Sequence, residues 1–344
     1  MACTVSVAPS GVTFAVEADE TILAAGIRQG IAMPYGCKDG TCGTCKCKKL
    51  SGSVQHGAHL EKALSADEEA QGMVLTCCAK ALTDVQLESK QVTAQGAMPI
   101  KKLPARVASL QKVSHDVIVL RLQIPTTEPF QYHAGQYVEV LLKDGERRAY
   151  SMASAPQTQA SQPGIELHLR HMPGGKFTDQ VFGSMKEKDI LRVEGPYGSF
   201  YLRDSDKPII LLASGTGFAP IKALLEHMQA ENIQRPVTLY WGGRRPADLY
   251  HADWLQRQCQ AMPQLRYVPV ISNAEPEDAW TGRTGFVHQA VLVDFADLSG
   301  HEVYACGAPI VVDSARSAYT AQAGLPPDAF YADSFTSAAD KAIP

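Results

Sequence analysis

Four cysteines constrain this chain more than any other feature. Cys37, Cys42 and Cys45 stand in a C-x4-C-x2-C spacing and, much later, Cys77 completes the ligand set used by plant-type [2Fe-2S] clusters. A chain carrying that set must wrap a tight loop round the sulfurs and bring a distant segment to it. The intervening residues suit the task. Gly36, Gly40 and Gly43 in YGCKDGTCGTC let the loop wrap closely and turn backbone N–H groups toward sulfur. A zinc knuckle built on Cys42-x2-Cys45, or a set of disulfides, would leave Cys37 and the glycines without a purpose. The expectation is an electron carrier.

At 344 residues, 45% hydrophobic and 20% charged, the chain is long enough for two or three domains with cores of their own. Net charge is −4 and no basic arm is present, so nothing points to nucleic acid or an anionic membrane as a partner. No apolar run approaches the roughly 20 residues of a membrane helix. The stretch MACTVSVAPSGVTF has no charged leader with an apolar core behind it, and a cytoplasmic location is expected. Nine cysteines, an odd number, do not resemble a secreted disulfide framework. Cys3, Cys47, Cys78 and Cys259 remain as ordinary thiols.

The pattern along the chain divides it into three segments. Residues 1–95 begin with two short strands, TVSV and VTFAV, around a Pro-Ser-Gly turn, followed by a helix TILAAGIRQG ending at Gly30. A small sheet gripping one helix, with the cysteine loop next, resembles a β-grasp ferredoxin domain. The stretch 92–104, carrying Pro99 and Pro104 and few large apolar residues, reads as a linker. Residues 103–205 hold the runs VIVLRLQI, QYVEVLL and IELHLR, split by turns, which predict an antiparallel barrel. From 206 to 344 strand and helix alternate, from KPIILLAS and APIKALLEHMQ through to EVYACGAP and IVVDSARSAYTAQ. That rhythm predicts a parallel sheet with helices on both faces.

Short motifs within these segments carry chemistry. Arg148-Ala-Tyr150-Ser151 stands at a strand end, and Gly174-Gly175-Lys176-Phe177-Thr178 follows about one hairpin later. A guanidinium can clamp a pyrophosphate, a tyrosine ring can lie against an isoalloxazine, and a serine hydroxyl can bond its N5 edge. The Gly-Gly turn offers N–H groups and the Thr178 hydroxyl to phosphate, with Lys176 adding charge and a helix N-terminus behind it. The bland alternative is a strand end with a solvated arginine. Farther on, the strand IILLAS runs into Gly215-Thr216-Gly217-Phe218-Ala219-Pro220 at a helix start. Glycines there let a pyrophosphate approach, although G-x-G-x-x-P differs from the G-x-G-x-x-G of dehydrogenases. Cys306-Gly307-Ala308-Pro309 would set a thiol at the carboxyl edge of the same sheet; a buried structural cysteine is the alternative.

With R-x-Y-S, G-G-x-x-T, G-x-G-x-x-P and C-G-x-P in that order, the chain resembles the ferredoxin-NADP reductase superfamily. The likeness covers essentially its whole length. An N-terminal cluster domain ahead of flavin and nucleotide domains is similar to the reductase components of bacterial oxygenases, such as benzoate dioxygenase reductase, and to CDP-6-deoxy-glucoseen reductase. EGPYGSFYLR and ASGTGFAPIKALLE are particularly close to the latter. The resemblance implies that Arg148, Tyr150 and Ser151 hold FAD, Gly175 and Thr178 its phosphates, and Gly215 to Pro220 and Cys306 to Pro309 the dinucleotide. It also implies that Phe335, in YADSF, covers the flavin ring, although nine residues follow it here. The run VLTC matches the family at Cys77 rather than at Cys78. Arg244-Arg245 suit a 2'-phosphate and Asp248 suits ribose hydroxyls, an alternative left open by the residues; the resemblance favours NADH.

The implied reaction relays electrons from NADH to FAD, then singly to the cluster, then to a partner protein, with Ser151 and Cys306 at the point of transfer. Flavin is required because a nicotinamide gives two electrons together and a [2Fe-2S] cluster takes one. The partner is an oxygenase or, alternatively, a deoxysugar dehydrase. A redox-sensing binding module, a non-enzyme reading, has no use for R-x-Y-S and C-G-x-P together. Lys38, Lys46, Lys48 and Lys49 around the cluster, against the single acid Asp39, read as a solvated face or as a patch steering an acidic partner.

Overall fold

The computed structural model describes residues 2–92, 96–127 and 129–336. The chain forms two compact units. The first comprises Met1–Pro99 with Gly198–Phe200 and Ser334–Pro344, and the second Ile100–Tyr197 with Tyr201–Asp333.

In the first unit, β1 (Cys3–Ala8) and β2 (Val12–Val16) pair antiparallel, and their alternation buries Val5, Val7, Phe14 and Val16 on one face. Helix α1 (Ile22–Arg28) follows. Thr21 caps it by accepting from the Ala24 N–H at 3.2 Å, and Ile22, Leu23, Ala25 and Gly26 turn inward. The cysteine loop leads into β3 (Lys46–Ser51) and β4 (Val54–His56). Then come α2 (Ala66–Ala70), held by a Ser65/Glu68 capping box, and strands β5 (Met73–Leu75), β6 (Ala79–Ala81) and β7 (Val85–Glu88). The five-stranded sheet runs β2-β1-β7-β3-β5, with β1 and β7 parallel, and β4 pairs with β6 apart from it. This is the expected ferredoxin-type arrangement.

The second unit opens with β8 (Lys101–Lys112), β9 (Val117–Gln123), β10 (Tyr137–Leu141), β11 (Arg147–Ser151), β12 (Ile165–Arg170), α3 (Lys176–Gly183) and β13 (Ile190–Tyr197). The six strands run β11-β10-β13-β8-β9-β12, all antiparallel. The two outer strands meet again at a bridge between Met152 and Leu167, beside which the Ala153 N–H donates to the Glu166 carbonyl at 2.7 Å. The two ends of the sheet are thereby brought together. Every second residue of its strands points into one core, with Val107, Leu120, Val138, Leu167 and Val193 among them, and Phe177 of α3 plugs it.

Pro104, expected in the linker, lies inside β8. It pairs with Arg192 of β13, but β9 joins β8 only from Arg106 onward. At Pro104 the strand has a neighbour on one side, where a missing N–H is tolerated.

The same unit continues through β14 (Ile209–Ser214), α4 (Phe218–Ala230), β15 (Val237–Gly243), α5 (Ala252–Ala261), β16 (Leu265–Ile271), β17 (Arg283–Thr284), α6 (Val287–Asp294), β18 (Glu302–Gly307), α7 (Pro309–Gln322) and β19 (Phe330–Ser334). The sheet order is β17-β16-β15-β14-β18-β19, and β14 to β18 are parallel. Ile210, Leu212, Val270 and Val303 pack with α6 and α7. Alternation turns Leu211, Leu239 and Trp241 to the opposite face, with α4 and α5. Phe218, at the start of α4, stacks on Trp241 with ring centroids 4.0 Å apart. Burying such a ring stabilises by about 1.5–3 kcal/mol, and it seats the helix start on the sheet. Among the described residues, no helix is long and apolar enough to cross a membrane.

Candidate functional site

The cysteine loop joins α1 to β3, and Cys77 follows β5. Cys37 and Cys77 lie within hydrogen-bonding reach of each other, Cys37 also of Cys42, and Cys77 also of Cys45. Through these contacts the Cys37 thiol is driven well below its ordinary range, first by Cys42 and then by Cys77. Cys42 and Cys77 are driven up, each chiefly by its bond to Cys37. Two sulfurs already accept backbone N–H groups: Cys42 from Cys37 at 3.5 Å and Cys37 from Thr41 at 3.4 Å. Gly40 makes this turn possible, because it sits at φ +78°, and a Cβ there would lie 2.7 Å from the Cys78 sulfur. Four converging sulfur donors, two of them with N–H partners, fit an iron-sulfur cluster.

The neighbouring thiols are placed differently. Cys47 is buried on β3 opposite Val74, and burial pushes its thiol up to about 12. The Cys78 sulfur lies 3.6 Å from that of Cys77, which itself reaches both Cys37 and Cys45. All nine cysteines are free thiols. The basic patch is partly neutralised, since Lys46 pairs with Glu68 at 2.6 Å, while Lys48 keeps its charge and donates to the Gln71 carbonyl.

On the barrel, β11 carries the flavin motif. The Arg148 guanidinium pairs with Glu146 and donates to the Arg147 carbonyl at 2.9 Å. Lys176, at the start of α3, pairs with the same Glu146 and with Asp144 at 2.6 Å. The two cations expected to meet phosphate therefore share one carboxylate, whose own pKa they hold down, Lys176 foremost. Gly174 has φ +81° with open space where a Cβ would stand, and Gly175 caps α3. This open turn at a helix start, flanked by Lys176 and Arg148, fits a phosphate. The Thr178 hydroxyl, expected to face phosphate, instead donates to the Met172 carbonyl at 3.0 Å and accepts from its N–H at 3.2 Å. Tyr150 leans on Phe177 with centroids 5.5 Å apart, and burial pushes its hydroxyl up.

Ser151, the last residue of β11, points elsewhere. Its hydroxyl donates to Asp333 Oδ2 at 2.8 Å, and the Cys306 sulfur stands 4.0 Å from that oxygen, all three residues being buried. Burial, then the Asp333 charge, pushes the Cys306 thiol up, so it is a neutral SH beside the carboxylate.

The two glycine motifs interlock. A Cβ on Gly217 would lie 2.2 Å from the Cys306 carbonyl oxygen, and the Ala308 N–H donates to the Ser214 hydroxyl at 2.9 Å. Gly215 and Thr216 fill the single turn between β14 and α4, and Trp241 Nε1 donates to the Gly215 carbonyl at 3.0 Å. Pro220 lies in the first turn of α4 and Pro309 opens α7, positions where no N–H is needed. Beyond β15, the Arg244 and Arg245 N–H groups both donate to Asp248 Oδ2, at 2.8 and 3.0 Å. Phe335 follows β19 directly and is half-buried. Residues 337–344 lie outside those described.

Two features escaped the sequence reading. Asp333 lies two positions before Phe335 in YADSF, an acid at a strand end whose partner Ser151 is far away in sequence. The second is a buried charge cluster. Lys222 of α4 donates to the Ala153 carbonyl at 3.1 Å and pairs with Glu226 at 2.5 Å and Glu166 at 3.1 Å. Glu226 accepts from the Ala155 N–H at 2.9 Å, and Arg121 pairs with Glu166 at 2.6 Å. A lysine inside APIKALLE, four residues before an acid, was its only sequence signal. Glu166, His168 and His251 have the spacing of a metal site, but Lys222 and Arg121 already compensate the carboxylate.

Three family models match the chain in order. They are a 2Fe-2S iron-sulfur cluster binding domain over residues 5–82, an oxidoreductase FAD-binding domain over 104–201 and an oxidoreductase NAD-binding domain over 211–317. A CDP-6-deoxy-L-threo-D-glycero-4-hexulose-3-dehydrase reductase from Yersinia pseudotuberculosis is 39% identical, over 97% of this chain and 99% of its own. Reductase component 2 of a terephthalate 1,2-dioxygenase from Comamonas is 36% identical, over 95% of each chain. Among solved structures, a cytochrome P450 reductase from Amycolatopsis matches at TM-score 0.77 and 33% identity, covering 97% of this chain and 99% of that one.

Proposed function

Because this chain belongs to the ferredoxin-NADP reductase superfamily, in the branch that carries a [2Fe-2S] domain ahead of its FAD and NAD domains, we propose that it draws electrons from NADH and delivers them to a partner oxygenase. FAD, when bound, takes the nucleotide's electrons as a pair and releases them singly, as a [2Fe-2S] cluster requires. The observation that carries this reading is the convergence of Ser151, from the flavin strand, and Cys306, from the nucleotide loop, on one oxygen of Asp333. Direct transfer needs the two reactants held face to face, and here the two motifs share a buried anchor.

In this reading Cys37, Cys42, Cys45 and Cys77 hold the cluster. Arg148, Lys176, Gly174, Gly175 and the Thr178 turn receive the FAD phosphates, Tyr150 lies against the ring, and Phe335 covers it. Gly215, Thr216, Gly217, Pro220, Gly307, Pro309 and Arg244 line the dinucleotide. Ser151 and Cys306 act at the point of transfer, with Asp333 fixing the serine hydroxyl. Nine thiols without a disulfide suit a cytoplasmic protein.

A second reading of the partner, a dehydrase acting on a nucleotide-linked deoxysugar, is favoured by the Yersinia relative. Capture of the electron-accepting protein separates the two. The reductase itself is tested by anaerobic titration with NADH and, separately, NADPH, followed by visible absorption and low-temperature EPR. Flavin bleaching with a rhombic reduced-cluster signal supports the relay, and bleaching without that signal sinks its last step.

A further inference from the structure

The nucleotide edge contains an arginine that is already spoken for. β14 and β15 run side by side with Ser214 opposite Gly242, so the glycine loop and Arg244-Arg245 emerge from adjacent strand ends. Of the two arginines that could grip a 2'-phosphate, Arg244 is exposed and Arg245 is the one held by the protein itself. Its guanidinium turns to a short loop after β16. Nε donates to Asp278 Oδ2 at 2.7 Å, one terminal nitrogen donates to Asp278 Oδ1 at 2.9 Å and reaches Glu277 at 3.4 Å, and the other pairs with Glu275. Three carboxylates thus surround one cation. They outnumber its charge, and their closeness repels a further dianion.

Asp248 is arranged for the opposite task. Its Oδ2 is used by two backbone N–H groups, which fixes the carboxylate, while Oδ1 makes no hydrogen bond among the described residues. A free acceptor at the end of the second strand suits the hydroxyls of an unmodified ribose. We propose that the loop of Glu275, Glu277 and Asp278 determines nucleotide specificity by capturing Arg245, leaving Asp248 to select the nucleotide that lacks a 2'-phosphate. This rests on the reading that the edge binds the adenosine half of NADH.

The experiment uses FAD-loaded protein and two probes that differ at the ribose, 5'-ADP and 2',5'-ADP, with dissociation constants measured by calorimetry and NADH and NADPH turnover alongside. The variant Glu275→Gln/Glu277→Gln/Asp278→Asn frees Arg245 and is expected to shift the ratio of constants toward 2',5'-ADP by at least about tenfold. Adding Arg245→Ala is expected to abolish the gain. Asp278 also accepts from the Glu275 N–H at 2.9 Å, so Glu275→Gln/Glu277→Gln, which spares that turn, is measured too and should shift the ratio in the same direction. An unchanged ratio in both variants overturns the proposal, as does a gain that survives loss of Arg245. Wild-type protein that binds neither probe would instead sink the underlying assignment of this edge.

Discussion

Ser151 donates its hydroxyl to Asp333 Oδ2 at 2.8 Å, joining the end of barrel strand β11 to β19, the outer strand of the nucleotide-binding sheet. Both groups are buried, so removing the acceptor leaves a donor without a partner, at a cost of about 1–3 kcal/mol. Asp333→Ala should therefore lower thermal stability modestly and, by freeing the hydroxyl to rotate, slow flavin reduction by NADH about ten- to a hundredfold while FAD content stays near stoichiometric. Stopped-flow bleaching of the flavin reads this. A wild-type rate would restrict Asp333 to a structural role.

Cys306 stands 4.0 Å from the same oxygen as a neutral, buried thiol. Its side chain fills space beside the nucleotide loop and lies far in sequence from the flavin motif. Cys306→Ala should slow flavin reduction at saturating NADH with little loss of FAD, and the observed rate constant should fall more than the apparent affinity. Unchanged reduction kinetics would remove the residue from the transfer step.

Cys77 reaches the sulfurs of both Cys37 and Cys45, whereas Cys78 pairs by hydrogen bond with Cys77. Cys77→Ser is expected to lose the visible absorption and EPR signal of the cluster, and Cys78→Ser to keep both. The reverse result would make Cys78 the fourth ligand.

The cysteine spacing, the helix ending near Gly30 and the strand–glycine–helix loop at Gly215 were legible because each rule operates within a few residues. Asp333 was not, since its partner lies 182 residues away and an acid at a strand end has no local signature. The choice between the Arg244-Arg245 pair and Asp248 was open for the same reason: the acids that pair with Arg245 arrive some 30 residues later, after a whole strand. Thr178 suits a phosphate contact by its place in a motif, while its hydroxyl is also bonded by the Met172 backbone, six residues earlier, a tie the motif does not reveal. Pro104 marked a linker on local rules and proved to sit in a strand, because only sheet topology decides whether a missing N–H matters.

Gly217 has an ordinary helical φ of −58°, so its glycine identity answers to space rather than to backbone strain. A Cβ there would stand 2.2 Å from the Cys306 carbonyl oxygen and 2.6 Å from the Gly307 Cα. Gly217→Ala must push the two interlocked glycine loops apart, a change costing about 1–3 kcal/mol. The expected outcome is a KM for NADH raised at least about tenfold with FAD retained; loss of FAD with an unchanged KM would contradict it.

Lys222 is buried and holds the buried Glu166, the partly buried Glu226 and a backbone carbonyl, and it does so from the helix that begins at the Gly215–Gly217 turn. Burial pushes Glu166 up, but its bond to His168 and the charges of Lys222 and Arg121 outweigh that and hold it well below the usual carboxylate range. A depressed carboxyl contributes stability above its unfolded pKa and loses it as pH falls through the folded one. Lys222→Met removes one of those stabilising charges, so the folded pKa rises toward the unfolded value of 4.5 and the variant loses less stability than the wild type as pH falls below it. Near neutral pH the variant should lose about 3–5 kcal/mol, the usual cost of stranding a buried charge. Adding Glu226→Leu should recover part of it. A melting series from about pH 2 to 8 on the FAD-loaded protein checks both effects: the gap between wild type and variant should narrow below the unfolded carboxyl value, and parallel curves through that range would mean that Lys222 does not set the Glu166 charge.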